Sequence, residues 1–351
     1  MLKALDMVAP GTALREGVDN VIHASTGALI VIGELEEISF MFSGGLKLEV
    51  DYTPQLLYQV AKMDGAIVLD PDAKKISWAN VQLMPDPTIH SNETGTRHRT
   101  AERVSKQTKA LVIAISARRD VVSIYQEGMK YILQDIPMVL SKANQGLATL
   151  EKYRSRLDAV SNRLTALEFA GAVTLHDVLT VLQRSELLMR TSYEVERYII
   201  ELGAEGRLIE MQLEETVVGV LPDRAALIRD YAADDSEASL DDTLAALSHL
   251  PHSDLLDLGR LAELLGHDRK VNPHDLRVPA RGYRALGNIP RLPRLVGEKV
   301  IRELGSLDAI LASDEAELAS IDGVGETRAA DIRDGLDRLR EVEVFDRYPK
   351  M

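Results

Sequence analysis

The sequence predicts an α/β N-terminal part with a central sheet covered by helices, followed by an all-α remainder. Three observations carry that prediction. Short β-branched runs bounded by turn residues alternate with helical patterns up to about residue 125. Long amphipathic helical periodicity replaces them from about 126 to 265, and a compact helical stretch with glycine and proline turns follows. Strands separated by helices need cover on both sheet faces, which places the sheet centrally.

The elements follow in order. Residues 28–32 form a β-branched run closed by Gly33, residues 38–42 read as another strand, and 46–50 alternate after the Gly44-Gly45 turn. Thr53 is the N-cap and Pro54 the first residue of a helix through about Lys62, with Leu56, Leu57 and Val60 on one face. Asp64-Gly65 ends it. Strands are expected at 66–69 and 75–79 around the Asp70-Pro71-Asp72 turn, and a loop at 84–95. A helix over about 97–109 and strands at 110–115 and 121–125 complete the unit.

Beyond it, Tyr153, Leu157, Val160, Leu164 and Leu167 alternate spacings of three and four and form one helical stripe, a core pattern. Residues 232–238 read as an acidic loop, 240–247 as a helix, and 249–253 as a break at Pro251. His249, His252, His267 and His274 lack metal-ligand spacing and read as surface or packing residues. The last part has helices over about 296–304, from Ser306 and from Glu326, consistent with two helix pairs and intervening hairpins.

A chain of 351 residues exceeds what one core usually organises, so two or three domains are expected. The absence of cysteine excludes disulfides, thiolate metal sites and cysteine nucleophiles, fits a reducing compartment, and makes the cytoplasm the expected location. No stretch approaches the length that crosses a bilayer, and no membrane association is expected. The net charge of −14 disfavours general polyanion binding. Between Arg269 and Arg302, however, Arg269, Lys270, Arg277, Arg281, Arg284, Arg291, Arg294, Lys299 and Arg302 outnumber Asp275 and Glu298, so nucleic-acid contact is sought there.

Two polar islands carry the chemistry. Asp64-Gly65-Ala66 places a hard oxygen ligand beside a glycine, although Asp-Gly after a helix is also a common structural turn. Thr96-Arg97-His98-Arg99-Thr100 places three basic side chains in a first helical turn, where they oppose the macrodipole unless an anion offsets them. Arg forks, backbone N–H groups and hydroxyls converging there make a phosphate site, against which stands a solvated basic face.

The two islands, in this order and separation, resemble the DGA and RHR motifs of diadenylate cyclases. The whole chain is similar to the DisA family, beginning at Gly27-Ala28-Leu29. The resemblance implies a diadenylate cyclase domain with a central mixed sheet over 1–139, a helical linker and assembly domain over 140–287, and a helix-hairpin-helix DNA-binding domain over 288–351. It implies condensation of two ATP molecules into cyclic di-AMP and two pyrophosphates. Asp64 would be the metal-associated catalytic carboxylate, with Gly65 and Ala66 as close backbone neighbours. Arg97, His98 and Arg99 would hold the triphosphate, with polar contacts from Thr96 and Thr100. Ser116 would reach the terminal phosphates, and Leu83 would meet adenine through its backbone. Mg²⁺ or Mn²⁺ is the implied cofactor. Two half-sites must face one another, which requires a homo-oligomer; the resemblance implies an octamer. Ile321-Asp322-Gly323-Val324-Gly325 resembles a DNA-binding hairpin, with Gly323, Val324 and Gly325 at the phosphate, whereas the 289–293 segment departs from the Gly-x-Gly form. Branched DNA such as recombination junctions is the implied regulatory partner. A nucleotide-sensing, DNA-binding scaffold without turnover is the alternative, and another ATP-using nucleotidyltransferase a third reading.

Overall fold

The computed structural model describes residues 1–116, 121–233 and 237–347. Chain contacts divide it into two compact units: residues 1–145 with 194–211, and residues 146–193 with 212–351.

The first unit is built on one mixed sheet. Its strands are β1 (Leu29–Ile32), β2 (Phe42–Ser43), β3 (Leu46–Asp51), β4 (Ala66–Leu69), β5 (Lys75–Leu83), β6 (Leu111–Ser116), β7 (Val121–Gln126) and β8 (Met129–Ile132). The order is β2-β5-β4-β1-β6-β7-β8, with β3 also paired to β5. Only β1 and β4 run parallel; the other pairs are antiparallel.

Alternation along each strand divides the apolar residues between two layers. Ile30, Ile32, Ile67, Leu69, Ile113 and Ile115 face one cluster, covered by Leu5, Val18, Val21 and Leu57. Leu29, Val31, Val68, Val112 and Tyr125 face the other, covered by Ile38, Met41, Ala101 and Val104. Burial on both faces is why these strands read as unbroken apolar runs.

Several expectations hold. Thr53 caps the Pro54–Val60 helix by accepting from Leu56 N–H, with proline in the first turn. The 84–95 loop precedes the Thr96–Gln107 helix. Others are corrected. Residues 38–42 are not a strand: the Leu35–Ile38 helix runs into a 3₁₀ turn at Ser39–Met41. A strand would face Ile38 and Phe40 the same way; instead Ile38 and Met41, three apart, are buried and Phe40 is exposed. Helix does not begin at 126, because Glu127-Gly128 turn the chain with positive φ into β8. The helices Leu2–Met7 and Ala13–His23 had no counterpart in the sequence reading. Residues 194–211 also belong to this unit: Glu201 accepts from Tyr131 hydroxyl at 2.6 Å, and Ala204 N–H donates to Pro10 C=O at 3.0 Å.

Among its described residues, the regular elements of the second unit are all helices, apart from one isolated bridge between Thr174 and Arg277. Leu157 and Leu164 of the predicted stripe are buried, while Tyr153, Val160 and Leu167 are partly so. A buried polar cluster ties its parts together. Arg284 donates to Glu168 at 2.6 Å, Tyr231 hydroxyl donates to the same oxygen at 2.6 Å, and Asp230 accepts from the N–H groups of Gly282, Tyr283 and Arg284 at 2.6–2.8 Å. Asp230 is raised to about 7 by burial and by the neighbouring Glu168 charge. Of the acidic 232–238 loop, residues 234–236 lie outside the described residues.

The unit contains two similar helix–turn–helix segments. Tyr283–Gly287 leads through a turn to Arg294–Leu304, and Glu315–Ser320 leads to Gly325–Arg347. In the first turn Ile289 N–H donates to Leu286 C=O and Leu292 N–H to Ile289 C=O; Ile321 and Val324 repeat both bonds with Leu318 and Ile321 in the second. Arg291 (φ +65°) stands where the second turn has Gly323 (φ +83°). The local basic excess is largely used internally. Arg281 donates to the carbonyls of Arg229, Asp230 and Ala232, and Arg284 is buried. Arg269, Arg294 and Lys299 pair with Asp257, Glu298 and Asp322. No described helix is long and apolar enough to cross a membrane.

Candidate active site

The sheet register assembles the site at one edge. Leu29 lies opposite Ala66 in the parallel β1–β4 pair and opposite Ala114 in the antiparallel β1–β6 pair. The start of β1, the start of β4 and the end of β6 therefore share one end of the sheet. Val81 lies opposite Ala66, so β5 finishes at that end too, and extending the register brings Leu83 alongside Asp64. Gly27, Asp64, Gly65, Ala66, Leu83 and Ser116 are thus gathered from four sequence segments.

Asp64 is exposed at this edge, while Ala66 is buried as the first residue of β4. Gly65 has φ +91°, and a Cβ there would lie 2.8 Å from Val81 O and 2.9 Å from Asn80 C. Its glycine is required twice, by conformation and by the approach of β5. Asn80 itself has φ +53° within a β4–β5 register shift, a bulge that shapes the strand beside Asp64. Leu83 pairs with Phe42 and buries its side chain, with its backbone at the sheet end. Ser116 is half-buried at the end of β6.

The Thr96–Gln107 helix starts at Gly95 without a side-chain cap and with no acid in its first turn. Thr96, Arg97 and Arg99 are exposed, and His98 and Thr100 are half-buried. The basic triplet does not converge on one protein point. Successive helical residues lie about 100° apart, and each side chain takes a separate path. Arg97 Nη1 donates to Ile115 C=O at 3.3 Å, and its guanidinium occupies the space that a side chain at Gly27 would need. His98 Nδ1 lies 3.1 Å from Tyr125 hydroxyl. Arg99 turns back to the carbonyls of Glu93 and Thr94, both at 3.3 Å. Arg97 is therefore the member of the triplet that bonds at the sheet edge beside Ser116 and Gly27.

The same helix straps down the loop before it. Glu102 accepts from Ser91 hydroxyl at 2.5 Å and Asn92 N–H at 3.2 Å. Arg103 donates to the carbonyls of Ile89 and Pro87, and Lys106 donates to His90 C=O and to Glu102. Burial works to raise the Glu102 carboxyl, but hydrogen bonds from Lys106 and Ser91 outweigh it and hold the group below its usual range. These partners, and Gly27, Glu93 and Tyr125, were not assigned roles from the sequence. The signals were faint: one aromatic in the aliphatic 121–125 strand, and one acid just before the basic helix start.

A second candidate site lies on the second helix–turn–helix. Gly323 and Gly325 have φ of +83° and +63°, and Val324 is buried between them as the turn's anchor. Lys299 Nζ lies 3.1 Å from where a Cβ on Gly323 would stand and pairs with Asp322 at 2.6 Å. Arg328 donates to Gly323 C=O at 2.6 Å.

Residues 15–130 match the family described as DisA bacterial checkpoint controller nucleotide-binding, and residues 133–273 match the DisA bacterial checkpoint controller linker region. The chain is 49% identical over 338 residues to the DNA integrity scanning protein DisA of Carboxydothermus hydrogenoformans, covering 96% of each chain. It is 48% identical over 339 residues to the protein of that name from Clostridium botulinum, covering 96% of this chain and 94% of the relative. The Symbiobacterium thermophilum protein is 48% identical over 345 residues, covering 98% of this chain and 97% of that one. With its mixed-sheet nucleotide-binding domain followed by the helical linker, this chain belongs to the DisA family of bacterial checkpoint controllers.

Proposed function

We propose that the chain is a diadenylate cyclase that condenses two ATP molecules into cyclic di-AMP. The observation that carries this reading is the gathering of Asp64, Gly65, Leu83, Ser116 and Arg97 at one sheet edge. Each 3′-hydroxyl oxygen forms a bond to the α-phosphorus of the other ATP, the bond from that phosphorus to the β-phosphate oxygen breaks, and pyrophosphate leaves. Asp64 stands beside the attacking hydroxyl, where its negative charge favours release of the proton. Arg97 and Ser116 hold the leaving phosphates in line, with His98, Arg99, Thr96 and Thr100 around the same helix start. Leu83 offers its backbone to adenine.

A Mg²⁺ or Mn²⁺ ion supplies charge neutralisation on the phosphates when bound. Among the described residues, no group of three or more His, Asp or Glu is placed to cage a metal. One exposed carboxylate suits an ion that completes its shell with phosphate oxygens and water.

One half-site holds one ATP, so the reaction requires two copies facing one another, and we place the chain in a homo-oligomer, an octamer by family likeness. The helix–turn–helix pairs are read as the helix-hairpin-helix domain. Gly323 and Gly325 take a DNA phosphate on backbone N–H groups, with Val324, whose own N–H is bound to the Ile321 C=O, anchoring the turn and Lys299 alongside, and branched DNA lowers turnover. The relatives' name, DNA integrity scanning protein, supports that assignment.

The test is mass analysis of the products made by the purified full chain from ATP with Mg²⁺ or Mn²⁺. Cyclic di-AMP and pyrophosphate are expected; nucleotide binding without a cyclic product selects the sensor scaffold instead. A titration with a four-way junction at fixed salt tests regulation, and saturation without a change in rate rejects it.

A further inference from the structure

Tyr125 is completely buried, yet its hydroxyl joins two polar side chains of the candidate active site. It lies 2.9 Å from Glu93 Oε1 and 3.1 Å from His98 Nδ1. Lys130, on β8, donates to the same Glu93 oxygen at 2.6 Å and lies 5.8 Å from the centre of the Tyr125 ring. Glu93 belongs to the strapped loop, His98 to the first turn of the following helix, Tyr125 to β7. Three elements meet through one phenol.

Proton inventory orders this chain. Burial works to raise the Glu93 carboxyl, but hydrogen bonds from Lys130 and Tyr125 and the charges of Lys130 and His98 outweigh it and hold it below the usual carboxylate range. Glu93 is therefore an acceptor at neutral pH. A phenol has one hydrogen, which goes to Glu93, so the contact with His98 requires that Nδ1 carry the other hydrogen and that the phenol oxygen accept it. Burial, and the bond to Glu93, push Tyr125 up, so it stays a protonated phenol.

We propose that Glu93 is a positioning residue for His98, acting through Tyr125 to hold the hydrogen on Nδ1 and so make Nε2 the ring nitrogen presented to the nucleotide's phosphates. The arrangement also fixes ring rotation, because Nδ1 is held from the β7 side. With Nδ1–H bound to the phenol, contact of Nε2 with a phosphate oxygen uses the doubly protonated ring, in which Nε2–H donates. Lys130 keeps Glu93 oriented toward Tyr125 and prevents it from competing with phosphate for Arg99, whose guanidinium is already bound to the Glu93 and Thr94 carbonyls. The inference rests on the cyclase reading for its substrate and goes beyond it by giving Glu93, Tyr125 and Lys130 a role.

The experiment uses the full chain and two probes. ATP with Mn²⁺ reports turnover. 3′-Deoxy-ATP, which lacks the attacking hydroxyl, reports binding alone. Glu93→Gln and Tyr125→Phe are each expected to lower kcat/KM for ATP, and to weaken 3′-deoxy-ATP binding, by about 10-fold or more, the scale of a hydrogen bond to a charged group. In a His98→Gln background, the same substitutions should add less than about 2-fold, because residues acting through one another are non-additive. Thermal midpoints and oligomer size identify a variant that fails to fold; if Tyr125→Phe does, Glu93→Gln carries the test. Wild-type behaviour of either folded variant overturns the proposal. Full additive losses in the His98→Gln background also overturn it, since a merely structural role gives that result. If the wild type binds 3′-deoxy-ATP but forms no cyclic product, the cyclase reading fails while the relay is still judged by binding. If it binds no nucleotide, both fail.

Discussion

Arg97 lies over Gly27. Its guanidinium fills the space a Cβ on residue 27 would occupy, and its Nη1 bonds to the carbonyl of Ile115, the residue before Ser116. The glycine that precedes β1 thus decides where the leading cation of the basic helix start can rest.

Gly27→Ala should therefore cost activity through Arg97. The added methyl would also stand 2.9 Å from Ile115 O, so strand movement does not relieve it cheaply. We expect a loss of turnover on the order of 10²-fold, similar to Arg97→Ala, the scale of one missing transition-state donor. Steady-state assays of both single variants and the double variant check this: the double should be little worse than Arg97→Ala.

Asp64→Asn should abolish cyclic di-AMP formation with fold and assembly intact, because an exposed carboxylate loses its charge with little change in volume. Mixing excess variant subunits into wild-type protein should lower activity per wild-type chain, since each mixed pair lacks one competent half-site. The checks are product mass, thermal midpoint and a mixing curve after demonstrated subunit exchange; activity that scales only with wild-type amount removes the facing-site geometry.

Glu102→Gln should loosen the 84–95 loop in a pH-dependent way. The folded Glu102 carboxyl is held below its unfolded value, so its contribution is complete above the unfolded pKa and is lost as pH falls through the folded one. At pH 7 the variant should lose about 1–3 kcal/mol, the cost of weakening hydrogen bonds to a buried charge. Denaturant unfolding from pH 7 down to pH 4 should show the two proteins converging toward the acid end.

Arg284→Met should destabilise the second unit by about 3–5 kcal/mol, because it leaves the Glu168 carboxylate buried without its cation. Adding Glu168→Gln should recover part of that loss. Denaturant melts of the single and double variants measure it, and a single variant as stable as wild type would contradict the role of the pair.

Gly323→Ala should weaken junction binding by about 10-fold or more while leaving turnover without DNA unchanged. The residue has φ +83°, and its new methyl would crowd Lys299 Nζ at 3.1 Å. Binding titrations at fixed salt, paired with product assays, test it; undiminished binding would move the DNA contact elsewhere.

Much of the fold was legible along the chain because its signals are local. The apolar runs of β1, β4 and β6, the Thr53-Pro54 helix start and the Gly323-Val324-Gly325 turn each declare themselves within a few residues. Asp64-Gly65 and the basic triplet were also visible as islands of polarity against apolar strands. Residues 38–42 misled because Ile38, Phe40 and Phe42 alternate like a strand, while the burial that decides their conformation joins Ile38 to Met41.

What only the tertiary structure decided is which distant residues meet. Sheet register carries Asp64, Leu83 and Ser116 to one edge, and no periodicity records which strands become neighbours. Helical geometry sends Arg97, His98 and Arg99 in three directions, to Ile115, to Tyr125 and to the Glu93 and Thr94 carbonyls, although adjacency in sequence made them one cluster. The Glu93–Tyr125–His98 chain depends on a loop, a strand and a helix closing on one buried hydroxyl. A hydrogen bond is set by distance and direction after the chain has folded, so residue types announce capacity for it while packing alone selects the partner.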